Sequence, residues 1–194
     1  PTLTNLVGDK RPELICTKRG QFGYVTVDWG NPLKEWTFHA VSGAVTSQKF
    51  GHGLGVGDVN GDGRLDIIHK DGWFAQPPSD KEAWKAHKFV FAPRGGAQMF
   101  ACDVDGDGDN DIITSLAAHE FGMAWFEQMK AEGDGGGITF KKHLIMGSTR
   151  GENKYGVVFS ELHATGLHDM DDDGLKDIVT GKTSWSHHKQ SPQW

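Results

Sequence analysis

The feature that most constrains this chain is a short acidic segment that occurs three times in register. Each copy has acidic or amide side chains at positions 1, 3, 5 and 9, a glycine at position 6, and two β-branched residues after position 9. The copies span residues 58–68, 103–113 and 169–179. Such a recurrence predicts a fold built from repeated supersecondary units.

A fourth, diverged copy opens the chain at residues 5–15. It keeps Asp9 at position 5 and Glu13 at position 9, and it keeps the apolar pair that follows. It has Val7 where the other copies have an acid or amide at position 3. Because this copy departs most from the pattern, we assign no metal to it.

The sequence around the acidic segments repeats as well. A short Gly-rich apolar run precedes each full copy, and an aromatic segment follows it, as in residues 72–76 and 123–128. A last segment in each unit carries one histidine among apolar residues: His39, His87 or His143. Four short strands in about 45 residues, with no sustained helical period, predict an all-β fold of four-stranded antiparallel units. A histidine repeated at one position of an outer strand predicts a packing role.

The residue types in the acidic segments indicate a cation site. Alternating positions let a tight loop turn several oxygens toward one point, and glycine at position 6 permits the sharp turn. Hard oxygen ligands in this number suit Ca²⁺ best, with Mg²⁺ or Mn²⁺ as weaker alternatives. The expected side-chain ligands are Asp58, Asn60, Asp62 and Asp66, then Asp103, Asp105, Asp107 and Asp111, then Asp169, Asp171, Asp173 and Asp177. The expected backbone carbonyl ligands at position 7 belong to Arg64, Asp109 and Leu175.

An EF-hand is the obvious competing interpretation of such a segment. It needs a glutamate at position 12 and a helix on either side. Position 12 is His69, Thr114 and Thr180 in the three copies, and the flanking sequence is strand-like. These observations exclude the EF-hand.

The loops resemble the Asp-x-Asp-x-Asp-Gly-x-x-Asp signature of the FG-GAP/VCBS repeat family. The resemblance implies a β-propeller of four-stranded antiparallel blades, in which each loop joins the innermost strand to the second and calcium pins that hairpin. It implies no chemistry. The blades would cover about residues 1–50, 51–95, 96–148 and 149–194, with the first lacking its opening strand and the last also incomplete.

That count gives one propeller segment of about three to four blades. A closed ring usually needs about four to eight. We therefore expect the ring to be completed either by the remaining blades of a longer chain or by a second copy of this chain.

The opposite face of such a propeller would carry a group of histidines, because alternate connections of a meander emerge on the same side. His52 and His163 each lie six residues before the first aspartate of their loop, and Ala97 has the matching position in between. Further polar residues expected on this face are Arg94, His119, Arg150, Lys154, Tyr155, His187 and His188.

This histidine face has three interpretations: a metal site, a catalytic site, and a group of ordinary surface residues without a chemical role. The imidazoles could bind a metal such as Zn²⁺ or Mg²⁺. Alternatively, His52, His119, His163 and Tyr155 could act as acids and bases in a carbon–oxygen lyase or dehydratase acting on sugars. The chain has ten histidines, so a chance cluster of ordinary loop residues also stays open.

Composition narrows the function classes. The formal net charge of −6 argues against nucleic-acid binding, and the sequence has no apolar stretch of the roughly 18 residues that a membrane span needs. We favour a calcium-stabilised module that binds carbohydrate or protein through the face opposite the calcium loops. A sugar-active lyase and a purely structural part of a larger protein are the alternatives. An extracellular or periplasmic location is expected, because calcium is abundant there.

Overall fold

The computed structural model describes residues 1–44, 52–130, 137–186 and 189–190. Within these ranges the regular elements are β-strands and one 3₁₀ turn, η1 (Arg150–Glu152). The strands are β1 (Thr2–Thr4), β2 (Glu13–Lys18), β3 (Gln21–Thr26), β4 (Thr37–Ala40), β5 (Leu54–Gly57), β6 (Asp66–His69), β7 (Gly72–Ala75), β8 (Lys85–Lys88), β9 (Gln98–Cys102), β10 (Asp111–Ser115), β11 (Met123–Lys130), β12 (Ile138–Met146), β13 (Thr165–His168), β14 (Asp177–Thr180), β15 (Trp185–Ser186) and β16 (Lys189–Gln190). The all-β prediction is confirmed.

The first twelve strands form three antiparallel meanders of four strands each. The first meander, β1 to β4, is a separate sheet. The second, β5 to β8, and the third, β9 to β12, join through parallel pairing of β5 with β9 into a curled eight-stranded sheet. Strand β13 pairs with β14, and β15 pairs with β16.

The first meander contains its opening strand, so the prediction that this strand is missing was wrong. Strand β1 pairs antiparallel with β2, from Thr2 opposite Ile15 to Thr4 opposite Glu13. Three residues carry too little alternation to be recognised as a strand from sequence. The hydrogen-bonding partner β2 is what orders this segment.

Apolar clusters lie between successive meanders. The cluster between the first and second meanders contains Leu6, Ile15, Phe22, Leu54, Ile67 and Phe74. The cluster between the second and third contains Val59, Ile68, Trp73, Phe91, Met99, Ile112, Phe126 and Phe140. Ile67 and Ile68 are neighbours that contribute to opposite clusters, because successive side chains point to opposite faces of a sheet. The inner strands β6 and β7 are therefore buried on both faces, whereas β8 at the sheet edge is mostly exposed.

The repeated histidine of each outer strand stacks on an aromatic ring directly across from it. The stacked pairs are Tyr24 with His39, Trp73 with His87 and Trp125 with His143, with ring centroids 4.8, 4.6 and 4.3 Å apart and planes within 14° of parallel. The predicted packing role of this position is confirmed.

No helix in the described parts of the chain is long and apolar enough to cross a membrane.

Candidate functional site

The three acidic segments form the β5–β6, β9–β10 and β13–β14 connections, and they share one hydrogen-bond pattern. In each loop the carboxylate at position 1 accepts the backbone N–H of position 6, and the carboxylate at position 5 accepts the N–H of position 7. The first bond measures 2.8 Å from Gly63 to Asp58, 3.1 Å from Gly108 to Asp103 and 2.9 Å from Gly174 to Asp169. The second measures 2.8–2.9 Å in all three loops. Each loop is thus wound around its own acidic side chains.

Left-handed backbone at positions 4 and 6 produces this winding. The φ angles at position 4 are 71° for Gly61, 82° for Gly106 and 61° for Asp172, and position 6 is a glycine with φ between 83° and 93° in each loop. Glycine adopts this conformation freely, whereas a side chain at φ near 60° is strained. Asp172 therefore introduces strain into the third loop.

The carboxylate at position 9 is a buried anchor in the first two full loops. Asp66 is fully buried and accepts the N–H groups of Val59 and Gln76 at 3.0 and 2.9 Å. Asp111 is equally buried and accepts those of Val104 and Gln128 at 3.0 and 2.7 Å. Each therefore ties its loop to the third strand of the meander.

Burial also affects the charge of these anchors. It raises the pKa of Asp66 to about 6, and it also raises the pKa of Asp111. An ionised carboxylate that is poorly solvated favours a nearby cation. In the third loop the equivalent Asp177 is exposed and accepts the N–H of Met170 at 2.9 Å.

The second and third full loops fit a cation best. One carboxylate oxygen from each of Asp103, Asp105 and Asp111 lies within 4.8 Å of the others, and the same holds for Asp169, Asp171 and Asp177. The donors are hard oxygens, as Ca²⁺ requires.

The first full loop fits a cation less well. The Arg64 guanidinium forms an ion pair with Asp62, and the side-chain amide of Asn60 donates to the same carboxylate at 2.9 Å. A cation in this loop would have to displace the arginine head group.

The diverged N-terminal copy folds as the same loop. The carboxylate of Glu13 accepts the N–H of Leu6 at 2.8 Å, and Asp9 accepts the N–H of Arg11 at 2.9 Å. Gly8 and Lys10 have φ angles of 81° and 72°, which match positions 4 and 6 of the full loops. Loop geometry therefore survives here without the side-chain oxygen at position 3.

Residues 5–69 match the sequence model of the FG-GAP-like repeat. The matched segment begins at position 1 of the N-terminal copy and ends three residues after position 9 of the first full loop. The FG-GAP-like repeat therefore takes in both of these loops and strands β2 to β6. A comparison with curated proteins found no match.

Three of the predicted site histidines lie together at the other end of the strands. His52 lies two residues before β5, His163 lies two residues before β13, and His119 lies in the β10–β11 connection. Their ring centroids are 5.0 Å apart for His52 and His119, 5.0 Å for His52 and His163, and 4.9 Å for His119 and His163. One ring nitrogen from each lies within 4.8 Å of the others. We call this group the histidine cluster.

A buried glutamate supports the histidine cluster. The Glu161 carboxylate lies 3.0 Å from Nδ1 of His119, and the residue is only 5% exposed. Glu161 has a φ of 64°, and its N–H donates to the carbonyl of Glu120 at 3.2 Å. The sequence interpretation missed this residue. The only available signal was its spacing of two residues from His163.

The other candidates of this face take different positions. Tyr155 is 80% exposed on the η1–β13 connection, where the Lys154 ammonium lies 5.1 Å from its ring centre. It is not part of the histidine cluster. Arg94 forms an ion pair with Glu120, the residue after His119. His187 and His188 lie outside the described residues.

An open groove of about 450 Å³ is lined in part by Glu120, the residue that follows His119. Its wall includes Arg94, Glu120, Phe121 and Lys142. The groove therefore combines an aromatic surface with two cationic side chains, and Glu120 connects it to His119 in the chain.

Proposed function

We propose that this chain is part of a calcium-stabilised β-propeller that binds a carbohydrate or protein ligand through the face opposite its calcium loops. The observation that carries the proposal is the convergence of three carboxylate oxygens within 4.8 Å in each of two loops, at Asp103, Asp105 and Asp111 and again at Asp169, Asp171 and Asp177. Repeated loops with one hydrogen-bond pattern support a common ligand better than a single acidic turn does.

The arrangement of the meanders supports the propeller. Strands β5 and β9, which open the second and third meanders, run parallel and side by side. Strands β8 and β12, which close them, lie at the two far edges of the joined sheet. The blades of a propeller are arranged in the same way, with their opening strands parallel and side by side around a central channel. Apolar clusters between successive meanders would then be the contacts between blades.

Calcium in these loops would be structural. It would neutralise carboxylates that accept backbone N–H groups in the second and third loops, and it would fix the hairpin between the first two strands of a blade. A cation that binds only the folded state, at 100 times its dissociation constant, adds about 2.7 kcal/mol of stability. For a chain of this size we expect the melting temperature to rise by about 5–10 °C. An extracellular or periplasmic location would supply calcium at the required concentration.

The test is thermal unfolding in calcium and in a calcium chelator, on the parent chain and on two matched variants. Asp105→Asn removes a side-chain ligand of the second full loop. Asp109→Asn makes the same chemical change in the same loop, but at a position that would contribute only its backbone carbonyl. We expect Asp105→Asn to reduce the calcium-induced rise, and Asp109→Asn to retain it. A parent melting temperature that is the same in calcium and chelator would refute the calcium part of the proposal.

A carbon–oxygen lyase or dehydratase acting on sugars is the second candidate function. It is favoured by the histidine cluster, in which Glu161 holds one imidazole in a defined orientation. Such an enzyme would generate an unsaturated sugar from a polysaccharide, with new ultraviolet absorbance. We expect His163→Ala to abolish that absorbance, while Asp109→Asn retains it. Binding of a glycan without any new absorbance would favour the binding module, and the lack of any ligand on this face would favour a purely structural role.

A further inference from the structure

We propose that His52, His119 and His163 form a zinc site that Glu161 orients, with an open coordination position for an anionic oxygen ligand. The site is distinct from the acidic loops, which lie at the other ends of the strands. The site requires neither calcium nor a closed ring, so a test of it does not depend on whether the acidic loops bind calcium.

The geometry of the rings supports a common ligand. Three nitrogens bound to tetrahedral zinc at about 2.1 Å lie about 3.4 Å from one another. In the histidine cluster the corresponding nitrogens already lie within 4.8 Å of one another. Zinc binding would therefore require the three side chains to move together by the remaining distance of up to about 1.4 Å between nitrogens.

The ring orientations distinguish this cluster from the packing histidines of the same chain. His39, His87 and His143 lie flat on aromatic partners, with planes within 14° of parallel. The rings of the histidine cluster are inclined to one another by 72°, 76° and 52°. These rings are therefore not stacked for packing, and one nitrogen from each lies within 4.8 Å of the others. This is the arrangement that metal binding needs.

Apolar burial does not explain the cluster. His163 is exposed, and His52 and His119 are half-buried. Each histidine comes from a different repeat, so the repeat pattern does not account for their meeting either. A shared metal ion would account for it.

Glu161 has the properties of a residue that positions a metal ligand. In metal-binding histidines the N–H of the second ring nitrogen usually donates a hydrogen bond to a carboxylate or carbonyl, which fixes the ring orientation. The Glu161 carboxylate meets His119 at Nδ1, so the metal would bind His119 through Nε2. Glu161 has a positive φ, a strained backbone conformation for a residue other than glycine. Such strain is typical of residues that are held in place for function.

The donor set favours zinc and predicts the class of its ligand. Three neutral imidazoles suit Zn²⁺, whereas Ca²⁺ and Mg²⁺ prefer oxygen donors. Three protein ligands leave one position open, as in catalytic zinc sites. No carboxylate belongs to the donor set, so the positive charge of the metal would attract an anionic oxygen group. Lys142 in the groove that contains Glu120 adds positive charge that favours a carboxylate-bearing ligand, whereas the charge of Arg94 is already paired with Glu120.

The experiment is a zinc titration of the 194-residue chain by calorimetry, in excess calcium so that the acidic loops are occupied. We expect one equivalent of zinc to bind. His163→Ala should weaken zinc binding at least 100-fold, and Glu161→Gln should weaken it about 10- to 100-fold. Asp105→Asn, which alters an acidic loop, should leave zinc affinity unchanged. His163 is exposed, so the calcium-bound melting temperature of His163→Ala should match that of the parent chain.

Two results would overturn the site. One is the absence of stoichiometric zinc binding, and the other is zinc binding that survives His163→Ala but is lost in Asp105→Asn. Cobalt substitution provides an independent readout, because a four-coordinate site with nitrogen donors gives a strong visible absorption. Addition of acetate should shift that absorption. An unchanged spectrum at saturating acetate would refute the open position for an anionic ligand.

Discussion

Replacement of Gly55 by alanine is expected to separate the second meander from the third. Gly55 lies on β5 opposite Met99 of β9. An alanine Cβ at this position would come within 2.0 Å of the Met99 carbonyl oxygen. Carbon and oxygen atoms on adjacent strands normally stay at least about 3.3 Å apart. The atom in the way belongs to the backbone, so the strands themselves would have to separate by about 1 Å.

The cost follows from what that separation breaks. The pairing of β5 with β9 covers three residue pairs, from Leu54 opposite Gln98 to Val56 opposite Phe100. Each lost ladder hydrogen bond costs about 1 kcal/mol, and forcing an extra methyl group into a packed interior costs about 1–3 kcal/mol. We expect a loss of about 3–5 kcal/mol of unfolding free energy, or a melting temperature lower by about 10 °C.

Urea unfolding in calcium measures this loss, and Gly181→Ala is the matched control. An alanine Cβ at Gly181 would have no heavy atom within 4 Å, and its φ is outside the left-handed region. The control should stay within about 0.5 kcal/mol of the parent chain. If Gly55→Ala unfolded within 1 kcal/mol of this control, about the worth of a single hydrogen bond, the close parallel seam between the meanders would be refuted.

Three further predictions concern single side chains. Lys10→Gly should raise the free energy of unfolding in urea by about 1 kcal/mol, because the exposed Lys10 has a φ of 72° that only glycine adopts without strain. A lower unfolding free energy would contradict this prediction. Burial lowers the pKa of His69 to about 4, from its ordinary value of 6.5. The unfolded chain therefore takes up the proton first, and stability should fall by up to about 3 kcal/mol as the pH decreases from 6.5 to 4; an unchanged pH slope in His69→Gln would rule out His69 as the cause. His143→Ala removes the stack on Trp125 and a 2.6 Å hydrogen bond to Glu127, so it should cost about 1–2 kcal/mol of unfolding free energy. No change in its denaturation midpoint would show that this stack contributes nothing.

The loops were the most predictable part of the structure because their interactions are local. Every hydrogen bond that winds a loop joins residues within nine positions of each other, as between Asp58 and Gly63 or between Met170 and Asp177. Even the diverged copy around Asp9 folds into the same loop. A prediction from sequence succeeds here because neither partner depends on a distant part of the chain.

Elements that depend on a distant partner were harder to predict. The three residues of β1 form a strand only because β2 pairs with them. Which apolar cluster Ile67 and Ile68 join depends on which meander covers each face. Alternation identifies both residues as strand residues but does not identify their neighbours.

The sequence by itself determined the all-β class, the repeat spacing and the four loop positions, because these depend on residue types a few positions apart. It also predicted that His52, His119 and His163 share one end of the strands. Only the tertiary structure decided that His52, His119 and His163 approach within 5 Å and that Glu161 supports His119. These residues come from three different repeats, and their separation depends on how the meanders pack against one another. No pattern within a single repeat encodes that packing.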